Sequence, residues 1–472
     1  MSHLRKGVNI FMAKQRIKKI SNNKKLLQPF FLLLLVALLA VAGFGAMTIF
    51  ENRKPVIAMG EIPEQIGTDT TLDLTLSDAK SGLRSVRIAI KQGSQEKEVL
   101  RTDYPRKGYW GKIGPTEVKE KQLVDLKKLG LKDGPAEITL EVYDYSLWGF
   151  FQGNLTRIVK NITIDTKAPK INLLHATRYL KQGGAGIVIY QTTEDVVHHG
   201  AQINGNFHPG FPLSGREHTY VAYIALPYEA TAIVDAKVMA EDLAGNKTAI
   251  GFTSTYKKAN QKHDTIALSD GFLSTKIPEF EEHYPEMKGD VIEKYLYTNR
   301  NLRDVNNKKI HDLCKNPTPE RLWKGEFQRM PGSPRAGFAD HRTYDYKGKS
   351  IDEQVHLGVD IASTERAEVK AAEAGKVVFT GYNGIYGEMV VLDHGQGVFS
   401  LYSHLSQINV TVESLVDQNT VLGLTGTTGM AGGDHLHFSM LINGVFVNPV
   451  EWWDPHWIGV TITEPLASSK SH

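Results

Sequence analysis

Cysteine is almost missing from this chain of 472 residues. Cys314 stands alone, so the chain can form no internal disulfide, and a single thiol cannot build a cysteine metal site. A chain of this kind must be held by its apolar cores, and Cys314 reads as a small packed side chain. Acidic residues are missing from one end: Arg5, Lys6, Lys14, Arg16, Lys18, Lys19, Lys24 and Lys25 all precede the first of them, Glu51. A large net charge is missing as well. The balance is +3, which excludes the strong basic excess of a nucleic-acid binder, so no nucleic-acid partner is expected. Long uncharged apolar runs occur once, at Phe30–Phe50 (FFLLLLVALLAVAGFGAMTIF). About 20 such residues cross a hydrocarbon core of roughly 30 Å as a helix. Lys and Arg stay on the cytoplasmic side. Residues 1–29 therefore read as a cytoplasmic basic arm and 30–50 as a transmembrane anchor in the cytoplasmic membrane, with the rest of the chain outside. The small residues of Ala40–Ala46 leave a cleaved signal peptide as the alternative.

Beyond the span, period-two patterning predicts short strands at Thr71–Ser77 (TLDLTLS), Leu83–Lys91 (LRSVRIAIK) and Glu137–Tyr143 (EITLEVY), with turns at Asp78–Gly82 and Asp133-Gly134. Lys167-Ala168-Pro169 resembles the opening Lys54-Pro55-Val56, and strands at Gly186–Tyr190 and Ala236–Ala240 precede a tight loop at Glu241–Lys247 (EDLAGNK). Two β-sandwich modules, 54–165 and 166–256, fit this spacing and resemble bacterial immunoglobulin-like modules that end in an aspartate-rich turn. Residues 257–324 change character. Ile292, Tyr295, Leu296 and Leu302 recur at roughly helical spacing in a polar stretch, which predicts a helical connector.

Three short segments in the last third carry chemistry: His356-Leu357-Gly358-Val359-Asp360, Leu401-Tyr402-Ser403-His404-Leu405 and His435-Leu436-His437-Phe438. Between them lie strand patterns such as Lys376–Thr380, Met389–Asp393 and Val398–Tyr402. Side chains two apart on a strand point the same way, so His435 and His437 share a face, and so do His356 and Asp360. Asn443-Gly444 followed by Val445–Val447 predicts a type I′ hairpin that supports the strand reading. Gly358 permits a close approach of backbone or substrate. Two histidines and one aspartate meet the ligand count of a catalytic zinc, which keeps an open position for water. Further imidazoles nearby can move protons near neutral pH.

His356–Ala362 (HLGVDIA), Tyr402–Ser406 (YSHLS) and His435–Phe438 (HLHF), with the Gly-rich loop Gly423–Gly433, resemble the lysostaphin/LytM-type peptidoglycan endopeptidases. Gly375–Val378 (GKVV) and Asp393-His394-Gly395 fall at the expected places. The resemblance covers roughly 325–457. It implies that His356, Asp360 and His437 hold one Zn2+, that His404 and His435 are the catalytic histidines, and that peptide stems of bacterial peptidoglycan are the substrate. Gly432 and Asp434 depart from the family's usual residues, and Ser439 stands where a glutamate often follows H-L-H-F. Arg342 sits where the family has an arginine at the groove rim, a possible substrate contact.

Other residues read more plainly. His341 and Asp340 are expected to stay off the metal, His394 to be structural and His198-His199 to be exposed. Trp452, Trp453 and Trp457 are expected to cap the core. The architecture anticipated is mainly β: an N-terminal transmembrane helix, two immunoglobulin-like β-sandwich modules, a helical connector, a C-terminal antiparallel β-sheet zinc metallopeptidase domain at 325–457 and a tail at 458–472. The domain would act in the periplasm, outside the cytoplasmic membrane, with regulatory envelope proteins as possible partners. The alternative class is a non-hydrolytic scaffold that binds wall or partner proteins and regulates another cell-wall hydrolase.

Overall fold

The computed structural model describes residues 24–108, 113–148, 150–418 and 420–468. Most of the basic arm, residues 1–23, and the last four residues of the tail lie outside them. The described chain is mainly β and divides into two compact units, Met1–Lys167 and Ala168–His472.

The first unit opens with the helix Lys24–Ile49, whose stretch Pro29–Met47 is long and apolar enough to cross a membrane, with a mean hydropathy of 2.7. Its apolar side chains, Leu33 and Val41 among them, are exposed rather than packed. A bilayer would cover them. After it come a three-stranded sheet (Val56–Met59, Thr71–Ser77, Glu117–Leu123) and a five-stranded one. The second runs in the order Gln65–Ile66, Leu155–Ile164, Gly134–Asp144, Leu83–Gln92, Gln95–Asp103. Alternation decides which residues face inward. Leu72, Leu74 and Leu76 of the first sheet meet Val86, Ile88 and Ile90 of the second in one core.

The second unit begins with two four-stranded sheets. One holds Ile171–Ala176, Ala185–Thr192, Phe211–Pro212 and Thr219–Ala225; the other holds Val196–Ile203, Asn206–Pro209, Ala236–Asp242 and Lys247–Gly251. Every residue of Thr219–Ala225 is buried. The reason lies on its two faces: Tyr220, Ala222 and Ile224 pack into the core between these two sheets. Val221, Tyr223 and Ala225 pack into the core of the C-terminal domain, with Trp323, Phe327, Val447 and Trp452. Residues 166–256 were expected to form a module separate from 325–457. Instead, sheet 171–225 and the C-terminal domain share one apolar core.

The stretch 257–324 also differs from the connector expected. It opens with a strand, His263–Leu268, that pairs in parallel with His341–Tyr346, which in turn pairs with Lys349–Val355. Helices Asp270–His283, Val291–Tyr297 and Arg303–Leu313 follow, with a π-helical turn at Thr298–Leu302 between the last two. They are packed rather than spanning solvent. Asn299 Nδ2 and Arg300 Nε both donate to Asp352 at 2.8 Å. The tail 458–472 likewise contributes Ile458 and Ile462 to the core. The sequence period revealed helix but not where its apolar stripe would dock.

The largest sheet has ten strands, and its central path is Ser333–Ala336, Val359–Ala362, Leu436–Ile442, Val398–Ile408, Glu388–Asp393, Gly375–Tyr382 and Leu415–Val416. The expected hairpin is present: Ile442 pairs with Val445, and Asn443 and Gly444 take φ of 50° and 83°. Trp452 is fully buried against Trp323 and Phe327, the cap anticipated from sequence. Cys314 is buried in a neighbouring apolar cluster, which pushes its thiol pKa up and leaves it inert.

Candidate metal centre

Sheet register assembles this site. Val359–Ala362 pairs with Leu436–Ile442 so that Asp360 stands opposite His437. On the other flank Val398–Ile408 sets Ser403 opposite His437 and His404 one residue beyond. His356 enters from the strand end before Gly358. A Cβ on Gly358 would lie 2.6 Å from His437 Nε2 and 2.6 Å from Phe438 O. The close approach expected at this glycine is therefore made by the His437 strand.

The protons on the ligand-type residues follow from their partners. His356 Nδ1 lies 2.8 Å from Gly337 O, and a carbonyl only accepts, so Nδ1 carries the hydrogen and Nε2 is bare. The hydroxyl of Ser439 donates to Leu357 O at 2.8 Å, which leaves its oxygen to accept from His437 Nε2 at 3.1 Å. His437 Nδ1 is then bare as well. These two bare nitrogens stand 2.8 Å apart, and each is 2.9 Å from Asp360 Oδ1. The other carboxylate oxygen, Oδ2, accepts from Arg342 Nη2 at 3.0 Å. Burial pushes the His437 imidazole down to about 4, so it is neutral.

Three electron-pair donors therefore crowd together, all buried, with their hydrogens committed elsewhere. Such a group repels itself unless a cation sits among its members. Two nitrogens and one oxygen are a donor set that suits zinc. The residues fit the metal that the sequence motifs imply.

Two further imidazoles face the same point. His404 Nδ1 lies 2.8 Å from Thr428 O, and His435 Nδ1 lies 2.7 Å from Gly433 O. Both therefore present Nε2 inward. The ring of His404 is 4.8 Å from that of His435 and 5.8 Å from that of His437, between centroids. His435 Nε2 is 3.5 Å from Asp360 Oδ1. His404 has φ of +61°, a left-handed conformation that a non-glycine residue adopts at a cost of roughly 1–3 kcal/mol. A backbone so placed breaks the ladder where the strand meets the site.

Other residues singled out by sequence fall as follows. Arg342 is half-buried and tied to Asp360 rather than free at a rim. Asp340 accepts from Gly337 N at 2.6 Å and so steadies the loop whose carbonyl holds His356. His341 contacts Gln261 and stacks on His263, away from the cluster. His394 is fully buried between Ala374 O and Ser400 Oγ, each at 2.7 Å, a structural residue as expected. In the pair His198-His199, His199 is partly buried, with Nδ1 2.6 Å from the Tyr190 hydroxyl, against the expectation of exposure.

Sequence reasoning did not single out the carbonyls of Gly337, Thr428 and Gly433, because backbone acceptors leave no mark on residue identity. It also missed Arg303. This helix residue joins Tyr386 and Met430 in lining the cavity over the imidazoles, a space of only about 130 Å3.

The β-sheet domain thus brings two imidazoles and a carboxylate to one point, with two more imidazoles beside them. Residues 354–449 match the model of peptidase family M23. Over 97 residues the chain is 40% identical to the DD-carboxypeptidase/endopeptidase Mpg of Neisseria meningitidis, covering 21% of this chain and 22% of that one. Over 95 residues it is 36% identical to the murein hydrolase activator EnvC of Escherichia coli, covering 20% and 23%. The chain thus spans about a fifth of the length of the curated relatives it matches. Among solved structures, the catalytic domain of lysostaphin from Staphylococcus simulans aligns at 28% identity, covering 26% of this chain and 92% of that one, with a TM-score of 0.23.

Proposed function

We propose that this chain is a membrane-anchored, zinc-dependent endopeptidase that hydrolyses peptide cross-links of bacterial peptidoglycan. The observation that carries the reading is the convergence of His356 Nε2, His437 Nδ1 and Asp360 Oδ1, each bare of hydrogen and 2.8–2.9 Å from the others. These three residues hold the metal, and Arg342 and Ser439 fix Asp360 and His437 in the orientation that binding needs. When bound, zinc lowers the pKa of a water and polarises a carbonyl. His404 and His435 each present an Nε2 to the reacting groups. One accepts the proton released by the attacking water, and the other, protonated, donates to the oxygen that gains charge. The likeness over 96 residues, at 34% identity, to a protein named peptidoglycan DD-endopeptidase ShyA of Vibrio cholerae supports the substrate class, and the apolar helix 24–49 supports the anchor.

In this reading the anchor, residues 30–50, keeps the bulk of the chain in the periplasm. The β unit at 54–165 is an immunoglobulin-like module between the anchor and the rest of the chain, while the immunoglobulin-like sheets of 166–256 buttress the catalytic domain 325–457 through their shared core. The cavity of about 130 Å3 is below the roughly 300–1,000 Å3 of a working ligand pocket, so a peptide stem enters only when Arg303 and Met430 move aside.

The second reading is a scaffold that regulates another hydrolase. The likeness to EnvC, named a murein hydrolase activator, favours it. All five metal-type and proton-moving side chains are present, and this favours hydrolysis. One experiment separates the two. The purified full chain in detergent is expected to hold one zinc and to release new peptide termini from isolated peptidoglycan, as read by mass spectrometry with and without chelator. His356→Ala is expected to abolish both. Tight zinc binding without any new termini would overturn the hydrolase reading and support the scaffold.

A further inference from the structure

The first unit contains a second convergence of charged groups, away from the imidazoles. Glu51, Asp78 and Asp144 are all buried, at 4%, 5% and 0% exposure. Each offers a carboxylate oxygen, and the three oxygens lie within 4.8 Å of one another. Part of each group is satisfied by the protein. Glu51 Oε1 accepts from Ser81 N at 3.0 Å and from its hydroxyl at 2.9 Å. Asp78 Oδ1 accepts from Gly82 N at 2.6 Å and Lys80 N at 3.1 Å, and Ser81 Oγ stands 3.5 Å away. Asp144 Oδ1 accepts from Asn154 N at 2.7 Å and Ser146 N at 3.0 Å, while its Oδ2 accepts from Asn154 Nδ2 at 2.8 Å.

One atom is left over. Glu51 Oε2 is buried and has no hydrogen-bond partner, on a side chain only 1% exposed. Its ion-pair partner, Lys80 Nζ, stands 3.9 Å off on a half-exposed side chain, outside hydrogen-bond reach. A buried, unsatisfied carboxylate oxygen beside two more carboxylates is costly unless a cation joins them. Burial, with a contribution from Asp78, already pushes the Asp144 carboxyl above its ordinary range. A cleft of about 450 Å3, lined by Glu51, Asp78, Lys80 and Thr116 among others, opens beside the group and gives an ion a way in.

We infer that Glu51, Asp78 and Asp144 form a binding site for a hard divalent cation, Ca2+, that clasps the exit of the apolar helix to the first β unit. The donors are oxygen only, which suits calcium and disfavours zinc. Oxygens spread over no more than 4.8 Å fit around an ion that bonds oxygen at roughly 2.3–2.6 Å. The site has a structural consequence. Glu51 follows the helix Lys24–Ile49 by two residues, whereas Asp78 opens the turn after strand Thr71–Ser77 and Asp144 closes strand Gly134–Asp144. A bound ion ties three distant points of the chain at the place where it leaves the membrane helix.

The test uses the full chain in detergent micelles, with Ca2+ alone as the probe. Equilibrium dialysis against about millimolar radioactive Ca2+, the affinity range of extracellular modules, counts ions per chain. Wild type is expected to bind one more Ca2+ than Glu51→Gln and one more than Asp78→Asn. Glutamine at 51 keeps an oxygen for Ser81, so the fold is retained in chelator, and the second variant carries the count should the first misfold. Exposed Arg53 supplies an independent readout: Ca2+ is expected to slow tryptic cleavage there at least tenfold in wild type and not in the variants. Equal Ca2+ counts in wild type and both variants, or unchanged cleavage at Arg53, would overturn the site.

Discussion

The hydroxyl of Ser439 is a sharp place to test the centre, because its role is set by two hydrogen bonds. It donates to Leu357 O at 2.8 Å and accepts from His437 Nε2 at 3.1 Å. In Ser439→Ala the buried Nε2–H loses its acceptor. An unsatisfied buried donor costs roughly 1–3 kcal/mol. His437 can avoid that cost by moving its hydrogen to Nδ1, where Asp360 Oδ1 waits at 2.9 Å. That tautomer removes the lone pair the metal needs, so the ion must reverse the shift in order to bind. At about 1.4 kcal/mol per factor of ten, zinc affinity should fall roughly 10- to 100-fold. Competition with a chromophoric chelator at fixed pH measures this directly. Ser439→Thr keeps a hydroxyl and should stay near wild type. A Ser439→Ala protein that holds zinc within about twofold of wild type would refute the proton assignment on His437.

The remaining predictions use other contacts. Gly358→Ala places a methyl 2.6 Å from His437 Nε2 and from Phe438 O, and overpacking of this kind should cost about 1–3 kcal/mol in a denaturant melt; an unchanged midpoint would show that the strands separate easily. His394 is fully buried, and burial lowers its imidazole from the ordinary 6.5 to about 4. The unfolded chain therefore binds a proton that the folded one refuses, so this contribution to stability is complete above pH 6.5 and is lost as pH falls toward 4, by roughly 3 kcal/mol in all. Thermal melts of wild type between pH 7 and about 4.5 should show the fall, and a flat profile would contradict it. Arg303→Ala removes a side chain that lines the small cavity over the imidazoles; peptidoglycan hydrolysis should rise in kcat/KM, and a loss of activity with the zinc content intact would mean that Arg303 binds substrate instead. Stripping the metal should lower the melting temperature of the second unit, because Asp360 and two bare imidazole nitrogens are then left facing one another.

Much of the chemistry was legible in the sequence because it rests on local periods. The alternation of His435 and His437 and the Asn443-Gly444 turn dictate which side chains share a face, whereas the expected extended run from His356 to Asp360 is broken between strands Lys349–Val355 and Val359–Ala362. The strands Thr71–Ser77 and Val445–Val447 were readable for the same reason, and the apolar span 30–50, which covers most of the helix Lys24–Ile49, was readable from its lack of charge. The edge strand Gln95–Asp103 was not, since QEKEVLRTD is exposed along much of its length and carries no apolar alternation.

Only the tertiary structure decided the rest. It placed Asp360 opposite His437, though 77 residues separate them, through a sheet register that no local pattern encodes. It supplied backbone carbonyls to set the histidine tautomers, and it turned Arg342 toward Asp360. It merged sheet 171–225 with the C-terminal core, because a strand such as TYVAYIA reads as buried on both faces without naming what buries it. Sequence periodicity determines which face of an element is apolar or reactive. The partner for that face is chosen by long-range packing, where register and close approach are settled only once all the strands are in place.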